Sequence, residues 1–324
     1  MSKRNKQSRA AIDAAINLIA SDKASGAAEI LRRAGGVFTR LSVWSTEQRV
    51  ANLELAREAV IETCIALARA QPDMSPLLRV ASAALTAART ANGAQEVFKS
   101  AQEAARNFIE KAERAACEVA LHGATLIRDG AIILTHSRSS SVLAALIEAR
   151  EAGRNFSVVT TESRPMLEGR ALAQELVGQH IPVTLIADAA ASLAMDQVNV
   201  VLMGADKITP VNLVNKIGTR MIALGARERG LPVYSLCDSS KFISEDYPGS
   251  AIRGLQSASE LWREAPQGVD VVNRYFEPTP LACFTGIVTE DGVLAIQEAV
   301  SRAEEASIDR GLVNALGVLS NGVK

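Results

Sequence analysis

From residue 129 onward, short apolar runs alternate with helix-like segments, and this alternation constrains the fold more than any other feature of the chain. Short runs rich in β-branched residues are typical of strands that are buried on both faces of a sheet. Predicted strands lie at residues 131–135, 156–160, 183–186, 200–203 and 231–236, with later candidates at 271–275 and 284–288. Predicted helices lie at residues 141–152, 168–179, 190–195 and 215–229. Because successive βα units build a mostly parallel sheet covered by helices, we expect a doubly wound α/β domain here.

The first part of the chain has a different character. Residues 8–120 are rich in Ala, Glu, Arg and Leu, and apolar side chains recur there at helical spacing. Pro72 breaks one predicted helix, and Pro76 lies in the first turn of the next, where proline is tolerated. We therefore predict an N-terminal helical domain at residues 1–124 and an α/β ligand-binding domain at residues 125–324.

Composition narrows the classes of function. The 324-residue chain is 48% hydrophobic with a net charge of −1 and 4% aromatic residues, so neither direct nucleic-acid binding nor membrane-surface binding is expected. The four cysteines show no CxxC spacing, which predicts no metal site and fits a reduced cytoplasmic protein. No apolar run has membrane-spanning length, and the N-terminus lacks the apolar core of a signal peptide.

The loop after the first predicted strand carries a cluster of donors. Residues 135–141 read Thr-His-Ser-Arg-Ser-Ser-Ser and lead into a helix, whose N-terminal N–H groups and dipole favour a phosphate. Ser137, Arg138 and Ser139 add further donors, although one serine must cap the helix and the others can simply be solvated. His136 and Ser137 are poorly placed as a base–nucleophile pair, because successive strand residues point to opposite faces. A structural role is therefore favoured for His136.

The next two loops offer an arginine and an aspartate. Pro165 biases Arg164 toward an extended conformation, in which a guanidinium suits a bidentate contact to phosphate or sugar hydroxyls. The alternative is a surface ion pair between Glu162 and Arg164. Asp188 follows the third strand, and capping of the helix after it is the favoured interpretation.

The strand at residues 200–203 ends in Gly-Ala-Asp, which brings Asp206 to the carboxyl edge of the sheet. Burial would raise the pKa of this carboxyl and suit it to general acid–base chemistry. Asn215 and Lys216 are predicted to open the following helix, where Lys216 could neutralise a phosphate or form a structural ion pair with Asp206. All four loops follow strands and so open at one edge, which predicts a small phosphorylated ligand.

Four ordered motifs in residues 126–320 resemble one family. They are Ile-Leu-Thr-His at 133–136, Thr-Glu-Ser-Arg-Pro at 161–165, Gly-Ala-Asp at 204–206 and Asn-Lys-Ile-Gly-Thr at 215–219. The family contains the alpha, beta and delta regulatory subunits of translation initiation factor 2B, together with methylthioribose-1-phosphate isomerase and ribose-1,5-bisphosphate isomerase. The resemblance implies a helical domain joined to a Rossmann-like domain, and a homodimer formed through the latter.

The resemblance also implies roles for single residues. Asp206 matches the acid that moves protons during aldose–ketose conversion of a 1-phosphate sugar, and no cofactor is expected. Asn215 and Lys216 match ligand-contacting positions, and Arg164 matches a sugar-contacting arginine. Ser137 stands where the isomerases carry a catalytic cysteine, and the regulatory subunits also lack that thiol. A serine hydroxyl cannot replace a thiol as acid or base unless a neighbour activates it.

Two functional hypotheses therefore remain. The first is an isomerase-type enzyme with Asp206 and Ser137 in the catalytic positions. The residues that hold its phosphate or hydroxyl groups are Arg138, Ser139, Arg164, Asn215 and Lys216. The second is a non-catalytic protein, similar to a regulatory subunit, that senses a sugar phosphate or nucleotide and engages a protein partner. A dinucleotide-binding protein is disfavoured because the first βα loop lacks G-x-G-x-x-G.

Overall fold

The computed structural model describes residues 3–22, 25–244 and 254–320. Contacts divide these residues into two compact units. The first unit contains the described residues up to Arg114, together with residues 243–244 and the segment from Glu305 onward. The second unit contains Ala115–Phe242 and the described residues from 254 to Glu304. This division falls earlier than residue 124 and assigns the C-terminal helix to the first unit, because packing rather than chain order groups the segments.

The first unit is helical, as the sequence predicts. Its helices are α1 (Lys3–Ser21), α2 (Ala27–Glu47), α3 (Leu53–Ala70), α4 (Ser75–Thr90), the first part of α5 (Ala94–Thr125) and α11 (Arg310–Ser320). Asn52 caps α3 by accepting a hydrogen bond from the Leu55 N–H at 3.0 Å, and α3 ends before Pro72. Phe38, Leu67 and Phe98 are fully buried in its core.

The second unit is built on a seven-stranded sheet with the order β10-β9-β7-β4-β1-β2-β3. Its strands are β1 (Ile132–Thr135), β2 (Ser157–Thr161), β3 (Val183–Ile186), β4 (Val200–Met203), β7 (Val233–Leu236), β9 (Gly286–Thr289) and β10 (Gly292–Leu294). All neighbours are parallel except β10, which pairs antiparallel with β9. Its other helices are α6 (Ser140–Glu151), α7 (Glu168–Gly178), α8 (Ala191–Ala194), α9 (Thr219–Glu228) and α10 (Ile296–Glu305). The predicted doubly wound sheet is confirmed.

The strand order reverses between β1 and β4. From β1 the chain adds β2 and β3 on one side, and from β4 it adds β7 and β9 on the other. Ile133 pairs with Val200 and Leu134 with Val201 across this point. In open α/β sheets, the crevice at such a switch point is where ligands bind, beyond the carboxyl ends of the strands.

A small antiparallel sheet adjoins that crevice, and here the sequence prediction was wrong. Strands β5 (Lys207–Ile208), β6 (Asn212–Lys216) and β8 (Phe276–Pro280) form a second sheet in the order β5-β6-β8. Asn215 and Lys216 therefore end a strand, and the helix predicted from residue 215 begins only at Thr219. Pairing with β8, remote in sequence, makes residues 212–216 extended.

The predicted strand at residues 271–275 was also misplaced, since the strand begins at Phe276. Two prolines make 276–280 a poor strand candidate by local criteria. The segment forms β8 because it lies at the edge of the small sheet, where proline is tolerated. Among the helices that the structure describes, none is long and apolar enough to cross a membrane.

Candidate active site at the switch point

His136, directly after β1, is a buried structural residue. Its Nδ1 lies 2.5 Å from Thr161 Oγ1, and its Nε2 lies 2.7 Å from the Ile217 carbonyl oxygen. Because a carbonyl only accepts, Nε2 carries the proton, and Nδ1 accepts from the threonine hydroxyl. Burial lowers the pKa of His136, so the neutral ring is favoured. This geometry agrees with the structural role favoured from the sequence, since both ring nitrogens are engaged.

Ser137 occupies a tight turn. Its φ is +63°, and its backbone N–H donates to Ser163 Oγ at 2.7 Å. Its own hydroxyl makes no hydrogen bond within the part of the chain that the structure describes. No base is therefore hydrogen-bonded to the Ser137 oxygen to activate it.

Ser139 caps α6, as predicted for one serine of this loop. Its Oγ accepts a hydrogen bond from the Val142 N–H at 3.3 Å. Gly204, at the end of β4, passes so close that a Cβ there would lie 2.6 Å from Ser139 Oγ. The absence of a side chain at Gly204 brings the β1 and β4 loops together across the switch point.

Arg138 points to a neighbouring helix. Its guanidinium forms a bidentate ion pair with Glu175 of α7, with N–O distances of 2.6 and 3.1 Å. The cation that the sequence offered to a ligand therefore already has a carboxylate partner in this structure.

Asp188 holds the β2 loop, which corrects its predicted role as a cap of its own helix. Its two carboxylate oxygens accept from the backbone N–H groups of Ser163 and Arg164, both at 2.7 Å. Ala187 stands at the cap position of the short 3₁₀ turn that Asp188 begins. The contact arises because β2 and β3 are paired, so that their loops are adjacent.

The side chain of Arg164 is exposed and makes no ion pair or hydrogen bond among the residues described. The alternative pair of Glu162 with Arg164 is wrong, because Glu162 binds Arg170 at 2.8 Å. Arg164 precedes a cis peptide bond to Pro165. A cation that lies free in a loop at the crevice edge is available to an anionic ligand.

Asp206 lies between β4 and β5, and its backbone N–H donates to the Val214 carbonyl at 2.9 Å. Burial raises the pKa of this carboxyl, as the sequence argument expects, and Glu168 raises it further. Lys241, Lys216 and Lys207 act in the opposite direction, in that order. Because its pKa is raised, this carboxyl is suited to general acid–base chemistry.

Asn215 and Lys216 end β6 beside this carboxyl. Asn215 Nδ2 donates to Thr219 Oγ1 at 3.0 Å, which ties the strand to the first residue of α9. Lys216 Nζ forms an ion pair with Glu168 of α7, instead of the Asp206 pair that the sequence suggested as an alternative. Asn215 and Lys216 thus lie near Asp206. The carboxylate of Glu168, which the sequence did not single out, lies beside them.

Glu277 of β8 is a second carboxylate, to which the sequence motifs assigned no role. Its Oε1 accepts from the backbone N–H groups of Gly218 at 2.7 Å and Arg220 at 2.9 Å. Glu277 therefore satisfies two backbone N–H groups at the N-terminus of α9, and its negative charge favours the positive end of the helix dipole. Gly218 has a φ of +105°, and a Cβ there would lie 3.0 Å from His136 Nε2. Only the β6–β8 register, which sets Asn215 opposite Glu277, reveals this contact.

Cys237, which follows β7, offers no substitute for the missing thiol. It is buried, and that burial raises the pKa of its thiol well above the ordinary value. No group of three or more His, Cys, Asp or Glu residues that could hold a metal ion occurs in the described ranges.

With this geometry established, comparison with known proteins decides the family. The Initiation factor 2 subunit family matches residues 23–296. The chain belongs to that family. The resemblance stated from four motifs is confirmed, and the match extends into the helical half, where the sequence motifs were least diagnostic.

Relatives within the initiation factor 2 subunit family include enzymes. The chain is 34% identical over 210 residues to ribose 1,5-bisphosphate isomerase of Thermococcus kodakarensis, covering 62% of this chain and 65% of that protein. It is 37% identical over 211 residues to methylthioribose-1-phosphate isomerase of Trichlorobacter lovleyi, covering 57% of this chain and 59% of that protein. The alignments thus span less than two thirds of either isomerase.

A solved structure of the family covers nearly the whole chain. The translation initiation factor eIF-2B of Pyrococcus horikoshii OT3 is 26% identical, has a TM-score of 0.75, and is matched over 91% of this chain and 98% of its own. The combination of a helical bundle with a mostly parallel sheet is therefore shared with the family's eIF-2B members.

Proposed function

We propose that this protein binds a sugar phosphate in the crevice at the carboxyl ends of β1, β2 and β4, and that Asp206 transfers a proton as the ligand isomerises. The observation that carries the proposal is a carboxyl with a raised pKa, surrounded by lysines, beside the switch point of the sheet. Relatives named as sugar-phosphate isomerases support the substrate class.

The reaction is an internal redox change that needs no external electron acceptor. When a cyclic 1-phosphate aldose becomes the open 1-phosphate ketose, C2 loses a proton and C1 gains one. The C2 hydroxyl also loses its proton, and the former ring oxygen gains one. Asp206 is the group whose raised pKa suits proton removal or return.

The remaining residues would hold the ligand. The N-terminus of α6, capped by Ser139, would bind the phosphate together with the exposed guanidinium of Arg164. Asn215 and Lys216, adjacent to Asp206 in the structure, would contact the sugar. We further expect a cytoplasmic homodimer formed through the α/β unit, which light scattering coupled to gel filtration would test.

The experiment follows turnover of ribose 1,5-bisphosphate, ribose 1-phosphate and methylthioribose 1-phosphate by NMR. Asp206→Asn should lower kcat by at least about 100-fold, the usual contribution of a positioned acid or base, while binding persists in calorimetry. Asp196→Asn is the matched control, because Asp196 is exposed and forms only a surface pair with Arg229. Equal activity of the two variants would exclude Asp206 as the proton-transfer group.

A second candidate function rests on a separate observation. Among the residues that the structure describes, no base is hydrogen-bonded to the Ser137 hydroxyl. This favours a protein that binds a sugar phosphate or nucleotide without converting it and signals to a protein partner. Ser137→Cys separates the candidates, since a thiol can act as acid or base near neutrality. Under the isomerase proposal this variant gains turnover; ligand binding without turnover in both wild type and variant favours the sensor.

A further inference from the structure

Lys216, the lysine that the sequence offered to a phosphate, already has a negatively charged partner. Lys216 is 5% exposed, and its Nζ is ion-paired with Glu168 Oε1. The rings of Tyr275 and Phe276 flank the ammonium group, with Nζ at 5.0 and 5.2 Å from their centroids. Aromatic faces stabilise this cation without supplying the full charge of an anion, so Glu168 is the partner that compensates Lys216.

Glu168 in turn depends on Lys216. Its second oxygen, Oε2, is buried and accepts no hydrogen bond among the described residues. A partly buried carboxylate with one unsatisfied oxygen would be destabilised if its counter-charge were drawn toward another anion. Removal of either partner would therefore leave the charge of the other uncompensated and would cost free energy.

A phosphate that approached Lys216 would also approach the Glu168 carboxylate. The side chains of Lys216 and Glu168 are only 6% and 20% exposed, so solvent screens the repulsion between this carboxylate and a phosphate weakly. The pair as a whole is neutral, and it suits an uncharged polar group better than a dianion. A place for Lys216 beside a hydroxyl group differs from the phosphate-neutralising role that the sequence suggested for it.

We propose that Glu168 determines the charge selectivity of this site: by occupying Lys216 it excludes phosphate there, so that the lysine faces a hydroxyl-bearing part of the ligand. The inference rests on the proposed sugar-phosphate function and assigns a direction to the bound ligand. The phosphate lies toward the α6 N-terminus and Arg164, and the sugar lies toward Lys216.

Titration calorimetry of the full chain with inorganic phosphate and with ribose 1-phosphate tests the proposal. Glu168→Gln keeps the size of the side chain and removes its charge, and it should bind inorganic phosphate at least tenfold more tightly than wild type. Adding Lys216→Met to Glu168→Gln should abolish that gain. Glu162→Gln is the matched control, because Glu162 lies on the preceding loop and pairs with Arg170 instead. Circular dichroism and melting temperature verify that each variant is folded.

The outcomes separate this inference from the proposed function. A gain no larger in Glu168→Gln than in Glu162→Gln, or one that survives Lys216→Met, overturns the role of Glu168. If wild type binds ribose 1-phosphate and Glu168→Gln gains nothing, only the role of Glu168 fails. If wild type binds no sugar phosphate and Glu168→Gln still gains phosphate affinity through Lys216, the role of Glu168 stands and the proposed function fails.

Discussion

Gly169 links the site to the packing of α7, and its replacement by alanine gives a sharp test of the fold. Gly169 is the second residue of α7, directly after Glu168, and it packs against the end of β2. A Cβ at this position would lie 1.7 Å from the Thr161 carbonyl oxygen and 2.9 Å from its carbonyl carbon. Backbone atoms of a paired strand cannot rotate away as a side chain can.

The expected loss of stability follows from that distance. Real Cβ atoms essentially never approach another heavy atom within 3.0 Å, so helix and strand must separate by more than an ångström. Overpacking in a core costs about 1–3 kcal/mol, and contact with backbone favours the upper end, about 3 kcal/mol. For a chain of 324 residues, whose entropy of unfolding is about 0.7 kcal/mol/K, this corresponds to a fall of roughly 4 °C in melting temperature.

Gly178→Ala is the matched control, because it lies at the other end of the same helix. It is exposed, and a Cβ there would meet nothing within 4 Å. Since alanine is the better helix former, this variant should be neutral or more stable by up to about 1 kcal/mol. Calorimetry of both variants beside wild type makes the measurement. Equal melting temperatures for Gly169→Ala and Gly178→Ala would refute the packing argument.

Two other predictions concern the site's carboxylates. Asp188→Ala removes the acceptor for two backbone N–H groups and should destabilise the protein by about 2–3 kcal/mol in urea unfolding; the surface control Asp196→Ala should change stability by less than about 1 kcal/mol, and a similar effect of both would contradict the role of Asp188. For Asp206, the folded-state pKa lies above the ordinary value of 3.8, so the native state binds more protons than the unfolded state and loses stability as the pH rises through this interval. Unfolding measured from pH 4 upward should therefore show Asp206→Asn gaining on wild type as the pH rises, and a constant difference would contradict the raised pKa.

Local sequence predicted those parts of the site that depend on one strand and the loop after it. The end of β4 at Met203 and a serine cap for α6 were predicted in this way, because period and turn chemistry act between near neighbours in the chain. The position of Asp206 beside the crevice followed from the rule for parallel strands.

The partners of these residues depended on contacts between segments remote in sequence. Residues 212–216 are extended because β8 pairs with them, although the sequence predicted a connection that leads into a helix at residue 215. Arg138 was assigned to a ligand, yet it lies against Glu175, and Asp188 was assigned to a helix cap, yet it holds the β2 loop. No local signal marks such pairs, since each requires a particular register or packing of two elements.

The sequence by itself determined the layers of this protein, its sheet edge and the acid at that edge, because these follow from periodicity and from chain direction. Only the tertiary structure decided which charges are free and which are already compensated. Lys216 is the clearest case, since its neutralisation by Glu168 arises where β6 meets α7. The physical reason is that an ion pair depends on distances of a few ångströms between side chains, and the fold alone sets these distances.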